Sequence, residues 1–498
     1  MRTIFFHKHP LLGRWGVCAL GLALATTASY AQEQAKHVLD YRDTIVPSDL
    51  PADLQMPDPM TATLTTALRV QDGKYLPGES KTKAVTGGPI TSDGATGLKI
   101  TSQAGGLNGL LVKGTQSTFT LSNSTIDLRG DGGNELLGQG AAALALNGTL
   151  VLKNVKIETT GKLRPAVLTT HHGELKVIDS EIIANGGKVT ASEDFTTALP
   201  GGMGTGTPEN GVPGGEVHLK GTSRAALTLD NSSSYYIRSK IQAEGWGAIS
   251  TDGANGYVYV EADDCDITLL HDGYGFYSDL GSHVVLKNSR VKSGQYIGII
   301  AGPAQGVLEN VTAEAGGEGL MIHSVMGSPL DVSLLSIKGG SIQSKRSLFW
   351  VRSANAEITV DGANLQSANG KLIEVVKNSD KNATKLRGWK VEGVKATLKN
   401  MTLEGSLSNA DPERDLAVTL VATSLKGAVS NASLSLDATS KWTATANSTV
   451  TLTGASSVKN IDAPAGVTIT ATAGEGCTLQ GDYTLSSGGT LHIGGGKG

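Results

Sequence analysis

Residues 285–291 read Val-Leu-Lys-Asn-Ser-Arg-Val, and this seven-residue phrase recurs along most of the chain. Its plan is an apolar pair, any residue, then Asn, Asp or Gly, two more residues and an apolar one. Other copies are TLSNSTI (120–126), VLKNVKI (151–157), KVIDSEI (176–182), VLENVTA (307–313), SIKGGSI (336–342), TVDGANL (359–365) and TLKNMTL (397–403), with EADDCDI (261–267) a looser one. The last positions fall at 126, 157, 182, 267, 291, 313, 342, 365 and 403, and many intervals lie between 22 and 31 residues. A period of that size marks a repeat architecture. The fourth position holds Asn123, Asn154, Asp179, Asp264, Asn288, Asn310, Gly339, Gly362 and Asn400. These residue types enter left-handed backbone geometry at least cost. The phrase predicts strand, tight bend, strand, with successive Asn side chains bonding up the stack as a ladder.

Each phrase is followed by a Gly-rich turn and a third apolar segment, such as Gly247-Ala248-Ile249-Ser250, Gly298-Ile299-Ile300-Ala301 and Leu348-Phe349-Trp350-Val351. Three strands per coil of roughly 22 to 25 residues predict an all-β fold, a single-stranded right-handed parallel β-helix. Leucine-rich and helical repeats are excluded because neither the dense leucine signature nor a 3.6-residue periodicity is present. An open stack needs covered ends. Residues 32–95, including the stretch Pro47 to Pro59, are assigned to an N-terminal cap and linker, 96–409 to the shaft, and 410–498 to C-terminal coils and their cap. Two insertions break the period, LPGGMGTGTPENGVPGG (199–215) and KNSDKNATKLRGWK (377–390). Both are expected to leave the shaft as loops, where recognition often resides.

Composition agrees. The 498 residues include 65 Gly but only 6 Phe and 5 Trp, too few large side chains for several compact cores. The start carries Arg2, Lys8 and Arg14, an apolar run Val17 to Ala25 and Ala28-Ser29-Tyr30-Ala31. That order predicts a signal peptide over 1–31, hence an exported chain. A formal net charge of −4 implies neither nucleic acid nor an anionic membrane as partner. Beyond the leader only Cys265 and Cys477 remain, many coils apart, so no disulfide is expected.

From about residue 410 the chain becomes Ser/Thr-rich with regular alternation, as in LSLDATSKWTATANSTVTLTG (434–454) and GDYTLSSGGTLHIGGG (481–496). With the coils upstream, this resembles the passenger domains of pertactin-like Gram-negative autotransporters. The resemblance covers most of the chain beyond the leader and rests on architecture. It implies a β-helix shaft and adhesion to a host-cell surface protein or glycan, either secreted or displayed on the outer membrane. It departs from the family in lacking barrel strands, which leaves a clipped passenger, a separate outer-membrane translocator, or a periplasmic protein as alternatives. A monomer without cofactor is expected.

Three constellations are candidates for function. Arg129-Gly130-Asp131 precedes Gly132-Gly133 and is expected on an exposed turn, as pertactin-like adhesins present such a triplet. Seven of the eleven tyrosines lie between 235 and 296, joined by Trp246 and Phe276. In Tyr257-Val258-Tyr259-Val260 the alternation puts the valines in the core and both tyrosines in solvent. Trp246, Tyr257, Tyr259 and Tyr274 are therefore expected to form an aromatic face for stacking on sugars or anchoring a protein, with cross-strand packing as the plain alternative. The alternative function is a polysaccharide-active enzyme, since Ser250-Thr251-Asp252-Gly253, Asp263-Asp264, His271-Asp272-Gly273 and Arg290-Val291-Lys292 echo polygalacturonases in order. Their spacing is shorter than a coil, which puts Asp252 and Asp263 on different faces, and Asp264 occupies a bend. His171-His172 reads as a solvated turn and no metal site is expected.

Overall fold

The computed structural model describes residues 58–187, 223–252, 257–324, 328–378, 383–386 and 388–494. The leader, the proline-rich stretch up to residue 57, the 199–215 loop, and residues 379–382 and 387 of the second loop lie outside the described residues.

All nine fourth-position residues of the phrase are left-handed, with φ between 46° and 65° from Asn123 to Asn400. Arg238 (φ 46°) and Ala422 (φ 48°) fill the same corner in two further layers. This geometry turns the chain while keeping the ladder intact: Asp264 N–H donates to Lys287 O at 3.1 Å, Asn288 N–H to Glu309 O at 2.9 Å and Asn310 N–H to Lys338 O at 2.8 Å. The next residue points inward, and in the layers where the one above it carries a serine or threonine there, its N–H meets that hydroxyl. Val155 N–H donates to Ser180 Oγ (2.9 Å), Ser180 N–H to Ser239 Oγ (3.1 Å) and Cys265 N–H to Ser289 Oγ (3.0 Å). Each serine passes its own proton to the carbonyl two residues back, as Ser180 does to Ile178 O at 2.7 Å. A buried hydroxyl ladder thus stands behind the corner, where every backbone donor needs a partner.

The expected outer asparagine ladder forms only in part. Asn154 donates to Asn123 at 2.7 Å and Asn310 to Asn288 at 3.4 Å. Asn288 and Asn400 instead bond the residue before the corner, Asp263 and Asp361, at 2.8 and 2.7 Å. Aspartate, glycine and arginine interrupt the column, so no unbroken amide stack can run through it.

Three strands make each layer. Gly273–Asp279, Ser282–Lys287 and Arg290–Ser293 pair in parallel with Tyr296–Ala301, Gln305–Glu309 and Thr312–Ala315 of the next. They define a first, second and third sheet, and the fold is a parallel β-helix. Register is kept across both insertions where Ile182 is opposite Ile241 and Val360 opposite Leu398. At the second, the first-sheet pairing of Lys371–Val376 with Ser406–Asn409 shifts between Lys371 and Ile373, and the third sheet restarts at Thr402–Glu404. Inward side chains of all three sheets form one core running from Ala67 to Ile493. Each aliphatic residue buried there contributes about 1.5–3 kcal/mol. Gly298 shows how closely layers approach: a Cβ there would stand 2.1 Å from the Phe276 ring of the layer before.

The shaft starts earlier than residue 96. Thr66–Gln71 already pairs in parallel with Asn108–Lys113, which makes it the first strand of the first sheet. The cap is smaller than expected and is made of antiparallel strands: Lys74–Tyr75 on Thr66–Gln71, and Val85–Gly87 on Leu98–Ser102. At the other end Gly481–Thr484 runs antiparallel along Thr490–Gly494. Antiparallel covers keep another parallel layer from adding at those edges.

Replacing Ser180 by Ala leaves the buried Val155 N–H without its acceptor. Urea melts should show a loss of about 1–3 kcal/mol, and a loss near zero would mean that water serves that donor.

Candidate functional site

Along the outer face of the first sheet one column of side chains runs Leu111, Leu144, Leu168, Leu227, Ser250, Tyr277, Ile299, Met321 and Trp350, one per layer. A flanking column runs Arg224, Gly247, Tyr274 and Tyr296. The apolar side chains of these columns belong to a second cluster outside the shaft core, on which Tyr277 and Trp350 pack. Tyr274 lies across Gly247, where a Cβ would stand 2.3 Å from its ring, and its hydroxyl meets Ser250 Oγ at 2.9 Å. Burial pushes the Tyr274 phenol up to about 12. Trp246 sits at φ 71°, a region that costs a bulky residue about 1–2 kcal/mol, and the Arg224 guanidinium lies 4.7 Å over its ring. Arg224 is also 3.5 Å from Glu135, whose carboxyl is raised by complete burial against the pull of that arginine.

Trp246, Tyr274 and Tyr296 are buried, so they support this strip from beneath and do not offer their faces to solvent. Tyr277 and Trp350 are half-buried. Tyr277 packs on Tyr274 at 5.1 Å, while Trp350 lies parallel to Tyr296 with centroids 6.5 Å apart and carries Arg352 at 4.6 Å on its ring. Two solvent-reaching rings three layers apart are thus fixed in position. At about 4.8 Å per layer they stand roughly 14 Å apart along the rod.

The tyrosine-rich stretch does not form one face. Tyr236 is in the shaft core, Tyr274, Tyr277 and Tyr296 are on the first sheet, and Tyr235, Tyr257 and Tyr259 are on or beside the second. Val258 and Val260 line the core as the alternation requires. Tyr259 does point outward, but it is only 5% exposed. Tyr235 at 5.8 Å and the edge-on ring of His283 at 5.4 Å enclose it, and its hydroxyl bonds Glu261. Cross-strand packing has taken this residue. Tyr235 and Tyr257 remain half-buried beside it.

Arg129 ends the strand Thr118–Arg129, and the Arg-Gly-Asp turn follows it with Arg129 and Asp131 side chains 54% and 61% exposed. The turn is exposed as expected, yet it is not a free loop. Arg129 Nε lies 3.2 Å from Asp127, and Asp131 accepts the Lys162 backbone N–H of the next layer at 2.9 Å. Its carbonyls are gripped by Arg164, which is wholly buried and donates to Gly130 O (2.5 Å), Asp131 O (3.2 Å), Ala104 O (2.9 Å), Leu107 O (3.1 Å) and Gly140 O (3.3 Å). Arg164 was not legible as a key residue, since nothing local distinguishes a buried arginine from a solvated one.

The residues that echo polygalacturonases are separated. Asp252 ends a strand of the first sheet and Asp263 one of the second. Asp264 is a left-handed corner, and Arg290 is held by both oxygens of Asp266 at 2.6 and 2.9 Å. That pair extends a column of alternating charge on the third sheet, Lys156, Glu181, Lys240, Asp266 and Arg290. Cys265 and Cys477 are free thiols, the first buried and pushed up to about 12. Among the described residues no group of three or more His, Cys, Asp or Glu is placed to hold a metal. His171 is not a solvated turn residue: its ring nitrogens lie 3.2 Å from Asp58 and 3.3 Å from Asp230. In the second insertion Trp389 is 57% exposed, the most exposed large apolar side chain among the described residues.

Comparison with protein-family models, with curated proteins and with solved structures finds no match.

Arg164→Met removes a donor from five carbonyls, of which Asp131 O keeps the Gly106 N–H at 2.9 Å, and should cost about 3 kcal/mol or more in urea melts while loosening the 129–132 turn. Unchanged stability would mean that other donors reach them.

His283 and His323 are buried with ring nitrogens that have no hydrogen-bond partner. Desolvation is the main cause that lowers them, to about 4 and about 3, with Lys287 and Arg352 adding repulsion. Below the ordinary histidine value of about 6.5 the unfolded chain takes up protons that the folded chain refuses, so stability falls as pH drops toward 3. Asp331, raised by burial to about 6, and Glu135, also raised by burial, work in the opposite direction, so the histidine share is read from a variant that lacks both rings. The drop in unfolding free energy between neutral pH and about pH 4 should be several kcal/mol smaller in a His283→Gln, His323→Gln double variant. An equal drop would remove the histidines as its cause.

Proposed function

We propose that this chain is an exported binding module of the autotransporter-passenger kind, which presents rigid aromatic side chains on a rod to a surface glycan or protein of a host cell. The observation that carries the reading is the pair Tyr277 and Trp350, half-buried on one outward column and locked by Tyr274, Tyr296 and Arg352. Rings already held in place lose little entropy on contact, and their faces suit the apolar side of a sugar ring or a hot-spot pocket. Arg224 is compensated by Glu135 beneath the strip and the exposed Arg346 by Glu318 at 3.3 Å, which favours an uncharged extended ligand over an acidic one. Export would follow from the N-terminal leader. Binding is favoured over polysaccharide cleavage because Asp264 serves a corner, Asp263 accepts from Asn288 and Arg290 is held by Asp266.

Binding of the purified chain to host cells and to arrayed glycans tests this. Tyr277→Ala with Trp350→Ala should weaken binding ten-fold or more, given about 1–3 kcal/mol per stacked ring. Arg129→Ala should change it less than about two-fold, because that side chain is tied to Asp127. Loss with Arg129→Ala and retention in the aromatic double variant would transfer the site to the Arg-Gly-Asp turn.

A further inference from the structure

Three outward positions of each layer meet at the corner between the second and third sheets: the last residue of the second strand, the left-handed residue, and the first residue of the third strand. Along the rod the charge at these positions changes sign with every layer. Lys153 and Lys156 are followed by Asp179 and Glu181, and these by Arg238 and Lys240. Asp263, Asp264 and Asp266 come next, then Lys287 and Arg290. Four more layers continue as Glu309, Lys338, Asp361 and Lys399. No layer in this series mixes the two signs at these positions. Successive layers are 22 to 59 residues apart in the chain, and both insertions fall inside the series without interrupting it. The sign therefore follows the neighbour in space and not a spacing in sequence.

Contacts between these layers are direct. Arg238 holds both oxygens of Asp179 at 2.7 and 3.0 Å, and Glu181 sits between Lys156 at 3.3 Å and Lys240 at 3.1 Å. Arg290 holds Asp266 in the same two-pronged way. All of these pairs are partly exposed, so each adds little to stability. What they exclude matters more. Every phrase buries similar aliphatic side chains behind the same corner, so the apolar pattern does not tell the adjacent layer from the one beyond it. Docking on the layer beyond would set Arg238 and Lys240 against Lys287 and Arg290, about 4.8 Å apart. Like charges directly opposite in a sheet are destabilising. Such a docking leaves one coil out of the core, which makes it a trap during assembly and not a second native state.

We propose that the layer-by-layer reversal of charge at this corner is a register device, by which each coil rejects the layer next but one while the stack assembles. It involves neither Tyr277 nor Trp350 and stands apart from the binding proposal.

A disulfide between positions two layers apart detects the trap. Gln242, Thr268 and Lys292 are opposite one another in three successive layers on the outer face of the third sheet. Sulfurs introduced by Gln242→Cys and Lys292→Cys are about 10 Å apart in register, too far to bridge, and become neighbours only when the coil between them is left out. The full chain with Cys18, Cys265 and Cys477 replaced by Ser is refolded from urea and pulsed with oxidant. Ser suits the place of Cys265, since Ser239 and Ser289 hold it in the adjoining layers. Lys287→Glu with Arg290→Glu turns the wrong docking into an attractive one and should raise the 242–292 disulfide about five-fold or more. Lys287→Gln with Arg290→Gln removes the same native contacts without that attraction and should stay within about two-fold of the parent. At about 1 M salt the screening length of about 3 Å is shorter than the layer spacing, and the excess should fall to about two-fold or less. Gln242→Cys with Thr268→Cys, adjacent in register, should bridge in every background. Equal 242–292 disulfide in the Glu and Gln variants, an excess undiminished by salt, or no such disulfide in any variant would each overturn the device.

Discussion

The structure depends on how a strand turns a corner without losing its hydrogen bonds. A backbone that bends inside a sheet would strand a buried N–H, at a cost of about 1–3 kcal/mol per layer. Here the left-handed residue keeps its own N–H on the ladder, and an inward hydroxyl from the next layer takes the one that would be lost, as Ser180 does for Val155 and Ser239 for Ser180. Because the left-handed corner repeats in layer after layer and the hydroxyl in several of them, each new coil docks on a surface that already has its partners in place. That is why an insertion as long as the one between Ile182 and Ile241 leaves the stack in register.

A stack of this kind separates support from display. Inward side chains are spent on one continuous core, while outward columns are free to vary, and the three sheets have used that freedom differently. The third carries alternating charge that neutralises itself from Lys156 to Arg290. The second buries Tyr259 and His283 against each other. The first builds a leucine stretch that continues into an aromatic one, with Met60, Ala62 and Leu64 of the preceding segment packed on its leucine half. Rigidity follows from the same principle: Trp350 is held between Tyr296 and Arg352, so its position is set before any partner arrives.

The Arg-Gly-Asp turn and the tyrosine-rich stretch show opposite ways in which a local motif can mislead. The triplet is exposed, but Arg164 binds its carbonyls from inside and Lys162 holds Asp131 from the next layer. Tyr259 obeys the alternation that turns it outward and is nevertheless covered. Exposure on a rod is decided by the neighbouring layers, and alternation within one strand reports only which side of the sheet a residue takes.

The amino-acid sequence by itself determined the repeat, the corner, the three strands per layer and the side of the sheet on which Val258 and Val260 fall. Those are local properties: left-handed φ selects Asn, Asp or Gly, and pleating alternates side chains with a period of two. Even the hydroxyl ladder had a signal, the serine that recurs just after the corner at 124, 180, 239 and 289. Tertiary structure alone decided that Arg164 serves carbonyls 24 to 60 residues earlier, that His171 bridges Asp58 and Asp230, and that the shaft begins at Thr66. Such contacts join different layers, and which residues meet depends on the summed lengths of the turns and insertions between them, which no single stretch of sequence contains.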